Sequence, residues 1–172
     1  MEIRWRGQDP FSEETLLLEG GREEIIARAT VRREDTGYDY RVLLRGSWVF
    51  AELSVSAGGD GELTLRRSPA SAWTADGRSR PDLAEAVDID LSFSPFTNTL
   101  PVRRLELGIG ESRDIVTAYV TPELEVLPDP QRYTRTGERR YLYESRDSDF
   151  RREILVDGEG LVVDYPGLFV RA

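Results

Sequence analysis

The sequence predicts an all-β protein, an antiparallel roll, barrel or sandwich. Three observations predict it. Apolar and polar residues alternate with period 2 in about a dozen or more short runs, and successive strand side chains face opposite sides of a sheet. Turn residues separate these runs at the roughly 8–12 residue spacing of all-β folds. No segment keeps a helical period for more than a turn or two.

The elements follow in order. Glu2 to Trp5 is an opening strand. Thr15 to Glu19 reads as the next, although Ser12-Glu13-Glu14 also suits a helix cap. Arg22 to Glu34 is a long strand with a bend, and Asp35-Thr36-Gly37 turns the chain. Tyr38, Tyr40, Val42 and Leu44 line one face of the following strand, which ends at Gly46-Ser47. Trp48, Phe50, Leu53 and Val55 mark a strand whose phase slips after Phe50, as a β-bulge would make it. Ala57-Gly58-Gly59-Asp60-Gly61 is a glycine-rich hairpin turn, leading to a strand with Leu63 and Leu65. A short strand surrounds Trp73, Asp76-Gly77 turns again, Arg78 to Pro81 is a loop, and Pro81 to Ala86 holds one helical turn.

Ala86 to Leu107 reads as two strands around a polar turn. Val87, Ile89, Leu91 and Phe93 face one way, and Asp88, Asp90 and Ser92 the other. Ser94 to Thr99 forms the turn. A second strand runs from Pro101, with Val102, Arg104 and Glu106 opposite Arg103, Leu105 and Leu107. Ser112 to Thr121 and Leu124 to Leu127 are strands, and Pro128 and Pro130 confine their surroundings to an edge or connector. Gln131 to Arg135 and Arg139 to Ser145 form a hairpin around Gly137. Phe150, Ile154 and Val156 lie on one strand, Asp157-Gly158-Glu159-Gly160 is a hairpin turn, and two short strands close the chain around Pro166-Gly167.

The 172 residues fit a single domain, residues 1–172. The formal net charge of −9 argues against nucleic acid as partner, since phosphate binding needs a basic face. Cysteine and histidine are both absent. Their absence excludes Ser-His-Asp and Cys-His nucleophilic sites, His/Cys zinc sites and histidine bases, so carboxylates, tyrosine and arginine carry any chemistry. No lysine is present, and every cationic side chain is a planar guanidinium able to bind an oxyanion through two bonds. Met1 to Phe11 has charges at once and no apolar core of a signal peptide, and no run approaches the roughly 20 apolar residues of a membrane helix. A cytoplasmic location is the expectation from these two observations.

The candidate site residues come from three places. Asp88 and Asp90 share a strand face at a separation of about 6–7 Å. They are suited to acid–base work or to binding sugar hydroxyls, and equally to pairing with Arg103 and Arg104. Thr97 and Asn98 carry hydroxyl and amide groups suited to a polar head group, or to satisfying their own turn. Arg132 and Arg135 with Tyr133, Tyr141 and Tyr143 combine guanidiniums able to hold a phosphate or carboxylate head group with stacking faces, or simply stabilise a sheet by cross-strand pairs. Asp147-Ser148-Asp149 and Asp157-Gly158-Glu159 lack the twelve-residue spacing of a calcium loop and read as turns, so no metal is expected. Trp5, Trp48 and Trp73 read first as core and second as pocket lining.

Val87 to Ser92, Ser94 to Leu105, Gln131 to Thr134, Tyr141 to Ser145, Val156-Asp157 and Gly160 to Leu168 occur in an order and spacing that resembles the glycolipid-binding protein family of bacteria. The resemblance extends from about Leu83 to the C-terminus. It implies a strongly curved antiparallel sheet, a spiral roll or half-barrel with a concave face, and neither catalysis nor cofactor. On this reading a lipid or glycolipid lies in the concave face. Asp88, Asp90, Thr97, Asn98, Arg103, Arg132, Tyr133 and Tyr143 are the ligand-binding candidates. Two alternatives stand beside it: a carboxylate-dependent hydrolase using Asp88 and Asp90 or Glu144, and a protein-interaction module working through an edge strand or apolar patch.

Overall fold

A computed structural model describes residues 1–59 and 61–172. The first half of the chain is a run of antiparallel strands: β1 (Glu2–Gln8), β2 (Phe11–Gly20), β3 (Glu24–Arg32), β4 (Gly37–Arg45), β5 (Val49–Ala57), β6 (Glu62–Arg67), β7 (Trp73–Ala75) and β8 (Arg78–Ser79). A 3-10 turn (Pro81–Leu83) leads to β9 (Ala86–Leu91). A second 3-10 turn (Pro95–Asn98) runs into the helix α1 (Thr99–Leu105). β10 (Ser112–Val120), β11 (Val126–Gly137), β12 (Arg140–Ser145), β13 (Arg151–Val156), β14 (Val162–Tyr165) and β15 (Phe169–Arg171) complete the chain.

All strands join one 15-stranded sheet in the order β8-β7-β6-β5-β4-β3-β2-β1-β15-β14-β13-β12-β11-β10-β9. Two meanders therefore run away from a seam where β1 meets β15, with Trp5 opposite Arg171 and Gly7 opposite Phe169. The Trp5 indole N–H donates to the Val162 carbonyl at 2.8 Å and fastens the seam from within. Every pairing is antiparallel except β9 with β10, which is parallel. Parallel neighbours need a crossover of about a dozen residues or more, and Ser92 to Glu111 provides it. The sheet does not close. It curls until β9, one of its end strands, lies against β5.

The curl follows from burial. Ile3, Trp5, Leu16, Val31, Tyr40, Val42, Leu53 and Leu65 alternate with exposed residues on their strands and present one apolar face. A sheet with one apolar face must cover it with another layer. Here the crossover between β9 and β10 does so. Phe93, Phe96 and Leu100 are fully buried against that face, and Phe93 stacks on Tyr38 with ring centroids 3.8 Å apart and planes 5° from parallel. The hollow of the roll is thus filled by a short helical plug. A second cluster, built from Tyr133, Tyr141, Tyr143, Ile154 and Tyr165, packs with Val102 and Leu107 at the other end of the plug.

The strand expected from Pro101 to Leu107 is instead the helix α1. Ser94 accepts the Phe96 N–H at 3.2 Å as a cap, and Pro95 occupies the first turn, where a missing N–H costs nothing. Leu100 and Val102 are buried, Arg103 and Arg104 fill the last turn, and Glu106 ends the helix in a left-handed conformation. The apparent alternation of Val102, Arg104 and Glu106 is too short to distinguish the two periods.

Other expectations meet the structure directly. The phase slip near Phe50 is a bulge: Leu43 faces Glu52 and Leu44 faces Phe50, leaving Ala51 extra. Pro128 and Pro130 lie in the first half of β11, paired with β10 only, because β12 begins its pairing at Gln131. The glycine-rich turn at Ala57–Gly61 includes Asp60, which lies outside the described residues.

One buried acid ties the plug to the wall. Glu14 of β2 accepts hydrogen bonds through Oε1 from Tyr40 (2.6 Å) and Ser94 (2.8 Å), while Oε2 is buried without a partner among the described residues. Burial pushes the Glu14 carboxyl up to about 7, against the pull of those two hydrogen bonds. The folded protein therefore holds a proton that the unfolded chain releases near 4.5. This acid costs the fold nothing below pH 4.5 and progressively more as pH rises through 7. Glu14→Gln is expected to stabilise the protein at pH 8 by up to roughly 3 kcal/mol, and to change little at pH 4.5. Thermal melts of the two proteins at both pH values check this.

Candidate functional site

The plug sets the site because its last turn carries Arg103 and Arg104 side by side. Arg104 reaches back to Asp88 on β9. Its Nε donates to Oδ1 at 3.0 Å and Nη2 to Oδ2 at 2.7 Å, a two-bond pair around a carboxylate that is 0% exposed. Arg103 points the other way, its guanidinium 5.2 Å above the Trp48 ring. The turn after β13 supports it from below. A Cβ on Gly160 would lie 3.1 Å from Arg103 Cδ and 3.2 Å from Val102 Cγ1, and φ there is +79°. Only glycine lets that turn approach the helix.

Trp48 owes its position to an unusual backbone. Ser47 and Trp48, at the β4–β5 hairpin, have φ of 60° and 64°. The loop between paired Arg45 and Val49 has three residues, Gly46-Ser47-Trp48, and its last two are left-handed. A bulky residue there is an outlier, costs of order 1–3 kcal/mol, and persists where the surroundings impose it. The strain holds the half-buried indole over the end of α1.

Two depressions flank Arg104. One, of ≈ 700 Å³, is polar and is lined by Trp48, Arg103, Arg104, Arg135, Arg139 and Tyr141, among others. The other, of ≈ 550 Å³, runs along Val87, Leu105, Ile115, Val116 and Pro130 and is mainly apolar. A larger open groove of ≈ 940 Å³ lies on the outer face of β1–β6. Part of its polar wall is internally paired: Thr30 donates to Asp39 at 2.6 Å, and Arg28 pairs with Glu19 at 2.5 Å.

Five of the residues singled out from sequence do converge. Asp90 and Thr97 share one hydrogen-bonded group, and Asn98, Tyr133 and Tyr143 meet in a second, both between the plug and β11–β12. The Gln131 amide donates to Asp90 (2.7 Å), Asp129 (2.8 Å) and Thr117 (3.1 Å), and Thr97 donates to Asp90 at 3.4 Å. Asn98 donates to the Tyr133 hydroxyl at 2.9 Å, and Tyr143 meets Tyr133 edge to face at 5.6 Å. Burial pushes the Asp90 carboxyl up to about 6. The Gln131 and Thr97 hydrogen bonds pull it down, and the Asp129 charge adds to the rise. The phenols of Tyr133 and Tyr143 are raised by burial first and the Asp90 charge second.

The other three lie elsewhere. Asp88 is committed to Arg104, the ion-pair alternative that the sequence offered. Arg103 lines the polar depression. Arg132 sits on the opposite face of β11 from Tyr133, where it binds exposed Asp114 through two bonds of 2.7 and 2.9 Å. Adjacent strand residues point to opposite faces, so Arg132 and Tyr133 cannot serve one pocket. Sequence reasoning missed Gln131, Asp129 and Arg139 as neighbours of a site, whereas Arg135, which it named as a head-group guanidinium, lines the polar depression. It placed Trp48 in the core first; Gly46-Ser47 marked the turn, but neither of the two left-handed positions is a glycine or asparagine. Asp157 accepts the N–H groups of Glu159 and Leu161 and pairs with Arg171, as a turn residue does. No helix among the described residues is long and apolar enough to cross a membrane.

A single open sheet curled around a helical plug, with a polar and an apolar depression at the plug's end, defines a β-roll of the kind that presents cavities at its margin. The chain belongs to the family described as "Putative glycolipid-binding", whose profile matches residues 2–171. It is also similar to a solved protein, the crystal structure of a DUF1089 family protein from Pseudomonas aeruginosa. That protein shares 34% identity over 94% of this chain and 92% of its own, with a TM-score of 0.81. No curated protein matches the chain.

Removing one partner of a buried ion pair leaves the other charge unpaired, which costs about 3–5 kcal/mol. Arg104→Ala is therefore expected to destabilise the fold by about that much, and Asp88→Asn combined with Arg104→Leu to recover part of it. Urea unfolding of the single and double variants measures both.

Proposed function

We propose that this chain is a non-catalytic binder of an amphipathic, glycolipid-like molecule. One observation carries the reading: the polar depression beside Trp48 and the apolar depression along Leu105 and Ile115 share Arg104 as a common wall. A ligand with a polar head and a hydrocarbon chain matches that pairing. The head lies against Trp48 and Arg103, and the chain lies along Val87, Leu105, Ile115 and Val116. Each buried CH₂ then contributes about 0.8 kcal/mol. The hollow of the roll is filled by Phe93, Phe96 and Leu100, so the ligand sits at the margin of the plug rather than deep in the concave face. Family membership supports the ligand class. The strained turn supports the place, since strain of this kind collects where a side chain must be presented.

A carboxylate-dependent hydrolase is the second reading. Asp88, with both oxygens held by Arg104, is not free for proton transfer. What favours the reading is instead Asp90, half-buried and raised to about 6, sharing the Gln131 amide with Asp129. A bell-shaped pH–rate profile on a glycoside, lost in Asp90→Asn, would decide for it.

The binding reading is tested by native mass spectrometry of the purified protein with identification of any co-purifying lipid, and by thermal melts with octyl β-glucoside. A stoichiometric lipid, or a rise in melting temperature that Trp48→Gly abolishes, is the expected result. At a ligand concentration about 100 times the Kd, the rise corresponds to roughly 2.7 kcal/mol. No bound lipid together with no shift from any amphiphile overturns the reading.

A further inference from the structure

Resting on the reading that the depression beside Trp48 takes a polar head, we infer that this head is anionic and carries a phosphate ester. Three guanidiniums border that depression without a close carboxylate among the described residues. Arg103 approaches Glu159 only to 3.7 Å, and Glu159 is itself exposed. Arg135 donates to three backbone carbonyls, of Leu107 (2.9 Å), Glu138 (2.7 Å) and Gly137 (3.3 Å), and to no acid. Arg139 forms neither ion pair nor side-chain hydrogen bond among the described residues, and its Nη2 lies beside Gly158. Some arginines elsewhere are matched closely, as in Arg66–Glu52 at 2.9 Å, Arg132–Asp114 at 2.7 Å and Arg171–Asp157 at 2.7 Å, while others, such as Arg6, Arg22 and Arg45, are exposed and form no ion pair among the described residues; what sets Arg103, Arg135 and Arg139 apart is that they border one depression together. The chain holds 32 acidic and 23 basic residues, so a supply of carboxylates is not what is lacking.

Two of the three guanidiniums lie on aromatic shelves. Arg103 is 5.2 Å above Trp48, and Arg135 is 5.8 Å above Tyr141. A ring beneath a guanidinium holds the cation by its quadrupole yet leaves the in-plane N–H groups free to donate. A carboxylate partner would consume those donors. The acid nearest the floor, Asp157, is spent on Arg171 and on two backbone N–H groups. Glu106 and Glu138 line the depression as well, but both stand on the exposed rim. Arg103 and Arg139 thus keep guanidinium donors for a ligand, and Arg135, held in place by its three backbone carbonyls, adds positive charge and its two remaining N–H groups, a set that matches the three oxygens of a phosphate.

The test is calorimetric titration of the full chain with three probes, at low and high salt. Dihexanoyl phosphatidic acid carries phosphate and chains, octyl β-glucoside carries a chain and no charge, and glucose 1-phosphate carries phosphate and no chain. The phosphatidic acid is expected to bind tightest and to weaken with salt. Arg103→Gln combined with Arg139→Gln should lose about tenfold for the phosphate lipid and flatten its salt dependence. Both substitutions are at solvent-accessible side chains, and circular dichroism confirms the fold. Equal, salt-insensitive binding of phosphatidic acid and octyl β-glucoside overturns the anionic head and leaves the amphiphile reading standing. Glucose 1-phosphate binding as tightly as the lipid upholds the anion site and removes the amphiphile reading. Binding by none of the three overturns both.

Discussion

Phe93 lies flat on Tyr38, and most of what is distinctive in this molecule depends on that contact. One sheet with one apolar face has no partner layer of its own. The plug that starts at Phe93 supplies it, drawing β9 over β5 and setting the curl of the sheet. Ser94, next in sequence, is shared between two tasks. It caps the turn that becomes α1, and it hydrogen-bonds the buried Glu14–Tyr40 pair in the wall. The apolar stack gives the burial, and the polar trio fixes where the plug enters.

The site inherits its geometry from this arrangement. A helix of seven residues is too short to be stable alone and takes its order from the surfaces it touches. Its buried half, Leu100 and Val102, is fixed by the core. Its last turn is fixed by Arg104 on buried Asp88 and by the close approach of Gly160. Arg103 then has one direction left, onto Trp48. The strain at Ser47–Trp48 is tolerated because the flanking strands over-determine the turn. The end of α1, fixed on both sides, thus forms the wall that the two depressions share.

Much of the fold was legible in the sequence, because period-2 alternation and turn residues are local and strong. The bulge at Ala51 could be read from a phase slip alone. The helix could not, because Pro101 to Leu107 alternates like a strand over its few residues. The better signal was the Ser94-Pro95 cap just before it. Asp90, Thr97, Asn98, Tyr133 and Tyr143 lie near one another because β9, the plug, β11 and β12 bring them together, but none of them lines either depression. That Arg132 and Tyr133 face opposite sides could be read from their adjacency on a strand. Trp48 was hidden for a different reason: a left-handed pair at Ser-Trp is imposed by tertiary packing and leaves no residue-type signature.

The seam between β1 and β15 has a kinetic consequence. Within each meander, almost every pairing is a hairpin between neighbours in sequence, which closes short loops at little entropic cost. The seam joins residues as far apart as Trp5 and Val162, separated by 157 positions. The two meanders can therefore zip up independently and early, while their union waits for a rare encounter of distant segments. Until it happens, β1 and β14–β15 each offer an unsatisfied edge to any other chain. Folding speed and the hazard of intermolecular pairing are both governed by the same three residue pairs at the middle of the sheet.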